Sequence, residues 1–219
     1  MGLPELLANY GPLYLTALLT TWRLTFVSFA LVMVFSVLLT VLRVCPFKPL
    51  RLFGDFYVQV FRNIPGAVLV LIVVYALPHL KLLLDYEPSV ILATVLLGTA
   101  FGSENFMSGI NTIGVGQIEA ARSLGLSFGQ ILRTIVIPQA LRSTVLPMTN
   151  LFIAVMLTTA LGSQVPMTPQ ELTGVVTYIN TRESAGIVTF FVSAAGYIAT
   201  ALVAGFVGNA IDKKVRVIR

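Results

Sequence analysis

Residues 22–42 read WRLTFVSFALVMVFSVLLTVL, and Arg23 is the single charged residue in this run. A helix needs about 20 predominantly apolar residues to cross the hydrocarbon core of a bilayer. The stretch therefore predicts a membrane-spanning helix, with Arg23 and the following Arg43 near the two water interfaces. The rest of the chain has the same character, since its mean hydropathy is +0.91.

The overall composition excludes several classes of protein. Of the 219 residues, 57% are hydrophobic and 11% are charged, whereas soluble domains contain about 25% charged residues. The chain has one cysteine, Cys45, and one histidine, His79, which excludes a disulfide scaffold and a structural zinc site. It lacks the G-x-x-x-x-G-K-[ST] loop that binds ATP phosphates. We therefore predict an integral membrane protein that is not an enzyme and has no catalytic residue, metal site or cofactor of its own.

Four further stretches predict membrane spans, and the total of five gives an all-α integral membrane fold. These stretches are residues 64–80, 89–110, 138–161 and 185–211. Residues 50–63 form an amphipathic entry to the second span, and residues 13–19 predict a short lead-in helix before the first. Residues 162–184 are too polar to span, which indicates a short interfacial or re-entrant helix.

The cationic residues indicate the orientation of the spans. Most of the 14 Lys and Arg residues lie in the loops after the first and third spans and in the C-terminal tail, whereas the opposite loops carry Lys81 and Arg182. Cytoplasmic loops of membrane proteins carry an excess of Lys and Arg. Five spans then place the N-terminus outside and the C-terminus in the cytoplasm. The same loops account for the net charge of +5, so the basic balance does not indicate a nucleic-acid partner.

The loop between the third and fourth spans, residues 111–137, reads NTIGVGQIEAARSLGLSFGQILRTIVI and is followed by Pro138. Residues 117–124 and 127–137 predict two short helices around a turn at Gly125, because glycine tolerates positive φ. Pro138 is a suitable first residue for the next span. We therefore predict a compact helix–turn–helix that projects from the membrane. The alternative is an ordinary loop that lies on the bilayer.

The residue types in this loop suit a docking surface. Small Ala120 and Ala121 permit the close approach of another surface, and Glu119 and Arg122 provide charged edges. Ser127 is a candidate N-cap of the second helix. Apolar residues of the loop pack either on a partner or on the bundle itself, namely Leu124, Leu126, Phe128, Ile131 and Leu132.

The spacing in this loop resembles the EAA loop of ABC importer permeases. The matching residues are Glu119-Ala120-Ala121, then Gly125, then Ile135 and Ile137-Pro138, with Ile137 standing where the family usually has Leu. In that family the loop forms a coupling helix, which sits in a groove of the cytoplasmic ATPase. The resemblance implies that ATPase coupling involves Glu119, Ala120, Ala121, Arg122, Gly125 and Pro138.

Local matches elsewhere narrow the resemblance to the polar amino-acid permeases. Among these, the chain is most similar in sequence to the glutamate-type permeases. The segment Phe61-Arg62-Asn63-Ile64-Pro65 resembles the family's Arg-x-Thr-Pro segment, with Ile64 in place of Thr. Shorter matches are Gly116-Gln117, Ser108-Gly109-Ile110, residues 138–142 and residues 147–150. The resemblance implies a type I ABC importer (MetI-like) permease fold over residues 12–211, with an N-terminal segment 1–11, the EAA loop 111–137 and a basic cytoplasmic tail 212–219.

The resemblance also implies the partners and the location of the chain. A type I importer contains two permease subunits, a cytoplasmic ABC ATPase dimer and an extracytoplasmic solute-binding protein. ATP and Mg²⁺ then bind to the ATPase, and this chain is a multi-pass subunit of the cell membrane. The implied function is ATP-driven import of a polar amino acid, glutamate or a related one.

Polar residues inside the predicted spans are candidates for a substrate pathway, because ionisable groups at membrane depth are costly and tend to be functional. Glu104 lies in the third span, where it either lines a cavity or is paired with Arg, Ser or backbone groups. Asn150 and Thr158 share one face of the fourth span, and Thr159 follows. The two threonine hydroxyls either line a path or bond their own helix. Arg62, at the entry to the second span, completes the candidate set.

Two departures from the family pattern concern charge. The family often has a cation at the position of Met107, and often Lys followed by Asp or Asn at Met156 and Leu157. A path for an acidic substrate favours positive charge. The hypothesis is therefore an asymmetric heterodimer, in which a second permease subunit supplies most substrate contacts. The open alternatives are import of another small solute, a self-contained channel or ion-coupled carrier, and a membrane scaffold without transport.

Overall fold

The computed structural model describes residues 1–183 and 186–215, and this part of the chain consists of helices joined by short turns. The α-helices, in chain order, are α1 (Leu3–Val44), α2 (Lys48–Asn63), α3 (Gly66–Leu71), α4 (Tyr86–Ile110), α5 (Val115–Ser123), α6 (Phe128–Ile131), α7 (Ile137–Ser143), α8 (Val145–Thr159), α9 (Leu172–Asn180) and α10 (Ile187–Val215). Two π-helical stretches, Ile72–Ala76 and Leu132–Val136, follow α3 and α6. Two 3-10 turns, Leu77–Leu80 and Ala160–Gln164, complete the second and fourth predicted spans.

Four helical segments are long and apolar enough to cross a membrane, namely α1, α4, α8 with its 3-10 extension, and α10. A fifth candidate consists of α2 and the segment Gly66–Leu80, which are bent by 103° relative to each other. Pro65 explains this break, because it lacks a backbone N–H and disfavours the helical conformation of the residue before it. Ile64 is accordingly extended, with φ −85° and ψ 127°. The described residues thus contain four spans, or five if the bent pair crosses the membrane.

The N-terminal lead-in helix that the sequence predicted over residues 13–19 is not a separate element. It is part of α1, a continuous helix of 42 residues that contains Pro12. A proline removes one hydrogen bond from a helix without having to end it, and Thr16 Oγ1 donates to the Pro12 carbonyl at 3.0 Å in this turn. The domain boundary predicted between residues 11 and 12 falls inside α1 and stays a prediction.

The fourth predicted span, residues 138–161, is divided in the structure. α7 ends at Ser143 and α8 begins at Val145. Pro147 lies in the first turn of α8 and has no N–H to donate to the Ser143 carbonyl, so the helical hydrogen bonding is interrupted here. The fourth predicted span is thus interrupted at one residue, and its later part, Val145–Gln164, is long and apolar enough to cross a membrane.

The segment between the fourth and fifth predicted spans contains a short helix, α9, as the sequence predicted. Glu171 is fully buried and caps this helix, since its carboxylate accepts hydrogen bonds from the Thr173 and Gly174 N–H groups, both at 2.7 Å. The Tyr197 hydroxyl of α10 donates to the same carboxylate at 2.7 Å. The fifth predicted span corresponds to α10. Its predicted start at residue 185 and the tail residues 216–219 lie outside the described residues.

Small residues bring α1, α4 and α8 into close contact. A Cβ atom at Gly98 of α4 would lie 2.6 Å from Val32 of α1 and 3.5 Å from Val155 of α8. One turn further along α4, Gly102 meets Ser36 of α1 in the same way. Interhelical approach at small residues and hydroxyl hydrogen bonds are the usual stabilising contacts between helices in lipid. These three helices therefore form the core, and α1 packs across one side of the line where α4 and α8 meet.

Candidate functional site

The EAA loop folds as a helix–turn–helix. Its first helix is α5, and Gly125 makes the turn with φ +76°, as the sequence predicted. Ser127 is confirmed as the N-cap of α6, because its hydroxyl accepts the Gln130 N–H at 3.4 Å. The Gln130 side chain accepts the Ser127 N–H at 2.8 Å in return, which completes a capping box. The turn is thus set by local sequence chemistry.

The inner side of the loop packs on the chain's own bundle. Ala121 is buried in an apolar cluster with Ile113, Ile131, Leu132 and Val136. The sequence analysis treated Ala120 and Ala121 alike, but the structure separates them, because neighbouring residues on a helix point in directions about 100° apart. Ala121 packs on the bundle and anchors α5 to it, whereas Ala120 is exposed. Pro138 is half-buried at the second position of α7.

The outer side of α5 is exposed along its length. Val115 begins the helix and is 70% exposed, and Leu124 directly follows it and is 81% exposed. Glu119 and Arg122 lie exposed between them, and neither forms an ion pair within the described residues. Large exposed apolar side chains with unpaired charges beside them are typical of a protein–protein contact surface. We call this surface the α5 face, defined by Val115, Glu119, Ala120, Arg122 and Leu124.

α5 contacts the helical segments that lead into the spans. The Gln139 amide of α7 donates to Gln117 Oε1 of α5 at 2.8 Å. α6, the following π-helical stretch and α7 succeed one another without an intervening loop, and α8 begins one residue after α7. One side-chain hydrogen bond and a continuous run of helical segments thus link α5 to the start of α8.

The second group of candidates surrounds Glu104. Its two carboxylate oxygens contact different arginines, with Arg43 Nη2 at 2.7 Å and Arg62 Nη1 at 3.0 Å. Arg43 also donates through Nε to Asp55 at 2.9 Å and through Nη1 to Ser103 Oγ at 3.0 Å. The four charged groups, two of each sign, connect α1, α2 and α4. Of the two roles that the sequence left open for Glu104, the pairing with arginine is present.

The ion-paired group is only partly buried. The Arg43 side chain is 11% exposed, but those of Glu104 and Arg62 are 35% and 40% exposed. The Arg62 guanidinium also lies 5.6 Å from the centre of the Phe101 ring, within range of a cation–π contact. Glu104 and Arg62 therefore present opposite charges at the surface of the chain, beside the Phe101 ring. Arg43 binds the Glu104 carboxylate from the buried side.

The threonines of α8 bond their own helix. Thr158 Oγ1 donates to the Ala154 carbonyl at 2.8 Å, and Thr159 Oγ1 donates to the Met156 carbonyl at 2.7 Å. Thr158 is partly exposed on the same face as exposed Asn150, but Thr159 is fully buried on the other side of the helix. The structure therefore brings Asn150 and Thr158 together and separates Thr159 from them.

The exposed sides of α4 and α8 lie on the same side of the chain. α4 contacts α8 near Asn105, whose amide donates to the Pro147 carbonyl at 3.2 Å. α1 covers one side of this contact line at Gly98 and Gly102, so the residues left exposed on α4 and α8 flank the opposite side. We call that side the polar face, and it contains Arg62, Phe101, Glu104, Ser108, Asn150, Ala154 and Thr158.

The three positions at which the resemblance led us to expect a charge differ in their surroundings. Met156 is fully buried and Met107 is partly buried. Leu157 is exposed and stands one residue from Thr158 of the polar face. A charge at position 156 would thus lie inside the bundle in this conformation, whereas one at position 157 would lie at the surface.

Sequence reasoning missed the role of Arg43 and Asp55. It placed Arg43 at the water interface after the first span, where the side chain instead reaches Glu104 and Ser103 of α4. The signal that could have found it was the need of a membrane-embedded acid for a cationic partner. Within residues 1–183 and 186–215, no three or more His, Cys, Asp and Glu side chains are placed to hold a metal ion.

Comparison with known proteins relates the chain to membrane transport subunits. A family model described as "Binding-protein-dependent transport system inner membrane component" matches residues 33–217. The chain is 38% identical over 168 residues to the glutamate transport system permease protein GluC of Corynebacterium glutamicum, which covers 71% of this chain and 74% of that protein. It is 27% identical over 212 residues to the arginine transport system permease protein ArtQ of Bacillus subtilis, with 94% and 93% covered.

Solved structures share the fold. A crystal structure of an amino acid ABC transporter with histidines matches with a TM-score of 0.86 and 24% identity, over 95% of this chain and 96% of that one. An inward-facing structure of the MetNI methionine ABC transporter matches with a TM-score of 0.81 and 22% identity, over 99% and 100%. The predicted all-helical MetI-like permease fold is thereby confirmed, whereas the number and orientation of the spans stay predictions.

Proposed function

The chain belongs to the family of binding-protein-dependent transport system inner membrane components, and on this premise we propose that it forms half of the translocation path of an ATP-driven importer for glutamate or a related polar amino acid. Family membership makes it a multi-pass inner membrane permease subunit of an ABC importer for amino acids, not an enzyme. The proposed substrate rests on the relative named as a glutamate transport permease.

The observation that supports the coupling part of the proposal is the α5 face. Its apolar ends and its charged residues lie exposed on a helix that the chain's own core supports from below. In the proposed complex, a cytoplasmic ATPase dimer that binds ATP and Mg²⁺ docks on this face. ATP-driven closure of that dimer moves α5, and the contact between Gln117 and Gln139 carries the movement to α7 and α8. The energy of hydrolysis then biases two conformations of the path.

The polar face supports the proposed position of the path. A second permease subunit packs against this side, so that the path runs between two chains. Arg62 and Glu104 offer a guanidinium and a carboxylate, which complement the carboxylate and the ammonium of a zwitterionic amino acid. We propose a heterodimer, because Met107 and Met156 leave this half without the cations that the family often carries. An extracytoplasmic solute-binding protein delivers the substrate, and five spans place the N-terminus outside and the C-terminus in the cytoplasm.

Purification from native membranes in a gentle detergent, followed by mass spectrometry of the associated proteins, tests this proposal. The expected result is recovery of an ABC ATPase and of a second, similar permease. A matched pair of variants sharpens the experiment: Ala120→Trp places a bulky ring in the centre of the α5 face, and Ala210→Trp makes the same change at an exposed alanine of α10. Ala120→Trp is expected to lose the ATPase and to retain the second permease, whereas Ala210→Trp retains both.

Two outcomes contradict the proposal. Recovery of the chain alone, with transport that persists without ATP, indicates a self-contained channel or ion-coupled carrier. Recovery of two identical permease chains contradicts the heterodimer and leaves the coupling proposal in place. Because the ATPase and the second permease are scored separately, each part of the proposal is judged on its own.

A further inference from the structure

An apolar groove with a volume of about 800 Å³ runs along the chain between α1, α8 and α10. We call it the α1–α10 groove. On α10 it extends from Gly196 to Ile211, a distance of about 22 Å at the rise of an α-helix. Small residues on this side of α10 create the space, namely Gly196, Ala199, Ala204 and Gly208. Trp22 of α1 lines the opposite wall.

The side chains that line the groove offer no free hydrogen-bond donor. Its lining includes three threonines, and each hydroxyl already donates to a backbone carbonyl: Thr144 at 2.8 Å, Thr149 at 2.9 Å and Thr200 at 2.9 Å. The Trp22 indole N–H donates to Thr200 Oγ1 at 3.0 Å. Buried water needs two to four polar partners, and apolar cavities without them stay dry. The groove is therefore suited to a hydrocarbon occupant.

The groove lies on the opposite side of the chain from the polar face. Phe26 and Phe29 of α1 pack on Phe152 of α8, with ring centres 5.4 and 5.2 Å apart, and these three rings line the groove. The polar face flanks the other side of the contact between α4 and α8. If the second permease packs on the polar face, as proposed above, the groove faces the bilayer. Large exposed apolar residues lie on the same two helices, α1 and α10, such as Leu19, Leu202 and Phe206.

We propose that the α1–α10 groove binds one acyl chain of a membrane phospholipid, held between α1 and α10 beside Trp22. The length of about 22 Å exceeds the roughly 15 Å depth of one leaflet's hydrocarbon, so a full acyl chain fits along it. A bound chain fills the space where α1 and α10 do not touch, and it replaces contacts that an empty groove would leave unmade. The position of the site on the lipid side rests on the proposed function, but its apolar lining does not.

Trp22 is the single tryptophan of the chain, which gives the site a direct optical probe. We would titrate the full chain, purified and delipidated in detergent, with a phospholipid whose acyl chains carry bromine, and follow the quenching of Trp22 fluorescence. The expected result is quenching that saturates near one lipid per chain and is reversed by the same phospholipid without bromine. Quenching that rises linearly and is not competed would overturn the proposal, because it reflects random contact with mixed micelles.

A matched pair of variants locates the bound chain. Ala199→Phe fills the groove, whereas Leu202→Phe alters a residue of α10 that is 69% exposed and does not line it. Ala199→Phe is expected to raise the half-saturating lipid concentration by about tenfold or more, because it removes apolar contacts along the chain, and Leu202→Phe is expected to leave it unchanged. Equal binding by both variants would overturn the assignment. If Ala199→Phe fails to fold, the competition on the unaltered chain still decides between saturable and random quenching.

The rival occupant is a second permease copy. If the chain forms a dimer by mass and dimerisation blocks the quenching, a protein covers the groove and the lipid proposal fails. Capture of the ATPase by the α5 face is unaffected by that outcome, so failure of the lipid site and failure of the coupling proposal are distinguishable.

Discussion

The substitution Glu104→Gln separates two contributions of one carboxylate. Glu104 pairs with Arg43, whose side chain is 11% exposed, and with Arg62, whose side chain is 40% exposed. Breaking a buried ion pair costs about 3–5 kcal/mol, whereas exposed pairs contribute about 0.2–1 kcal/mol. Glu104 is partly exposed, and Arg43 keeps Asp55 as a partner after the substitution. The expected cost therefore lies between the value for an exposed pair and the value for a buried pair. We expect Glu104→Gln to reduce the free energy of unfolding by about 2 kcal/mol.

Arg62→Gln is the comparison that isolates the exposed half of the cluster. Loss of the Arg62 guanidinium leaves the contact between Glu104 and Arg43 intact. We therefore expect this substitution to lower the free energy of unfolding by less than about 1 kcal/mol. A conversion of about 2–4 °C per kcal/mol gives a decrease in Tm of about 4–8 °C for Glu104→Gln and under about 4 °C for Arg62→Gln. Glu5→Gln is the matched control, because Glu5 is exposed and forms no ion pair in the described part of the chain.

Thermal unfolding of the purified chain in one detergent provides the stability assay, and amino-acid uptake by the reconstituted complex provides the functional one. We expect Arg62→Gln to reduce uptake by about tenfold or more with little loss of stability, since one lost charged hydrogen bond costs about 1.5–3 kcal/mol of binding. Equal losses of stability for Arg62→Gln and Glu104→Gln would refute the reasoning, as would a Glu104→Gln chain as stable as the Glu5→Gln control.

Three further predictions address other contacts. Gly102→Val forces α4 away from Ser36 of α1, and we expect it to lower the free energy of unfolding by about 1–3 kcal/mol. The control is Gly129→Ala, whose added methyl group meets open space. We expect this control to change the free energy of unfolding by no more than about 0.5 kcal/mol. Glu171→Ala removes the side-chain acceptor of the Thr173 and Gly174 N–H groups of α9, whereas the Tyr197 hydroxyl keeps Thr173 Oγ1 as a partner; we expect the free energy of unfolding to fall by about 2–4 kcal/mol in the same assay, and no loss would contradict the capping role. Leu124→Glu on the α5 face is expected to abolish ATPase capture without changing Tm by more than about 2 °C.

The sequence predicted the features that depend on short-range chemistry. The turn at Gly125 and the cap at Ser127 follow from residues within one helical turn, and the structure confirms both. The hydrophobic stretches located the span candidates for the same reason, because length and apolar content decide membrane insertion. The MetI-like fold was implied by the resemblance of the loop to the EAA loop of ABC importer permeases, and the family match over residues 33–217 and the solved structures confirm it.

Features that depend on distant residues were less predictable. Arg43 and Glu104 are separated by most of two spans in sequence, and only the packing of α1 on α4 brings them together. The side of α8 that carries Thr158 is exposed while Thr159 next to it is buried, and which side faces the core is decided by Gly98 and Gly102 on another helix. A helical pattern shows that two residues share a face, but it does not show what covers that face.

Labelled glutamate uptake into proteoliposomes, with and without ATP on the α5 side, tests the central claim most directly. The complex would be reconstituted with the unaltered chain, with Ala120→Trp and with Ala210→Trp. The account predicts uptake that requires ATP, is lost in Ala120→Trp and is retained in Ala210→Trp. Uptake that continues without ATP, or that is the same in Ala120→Trp as in the unaltered chain, would contradict it.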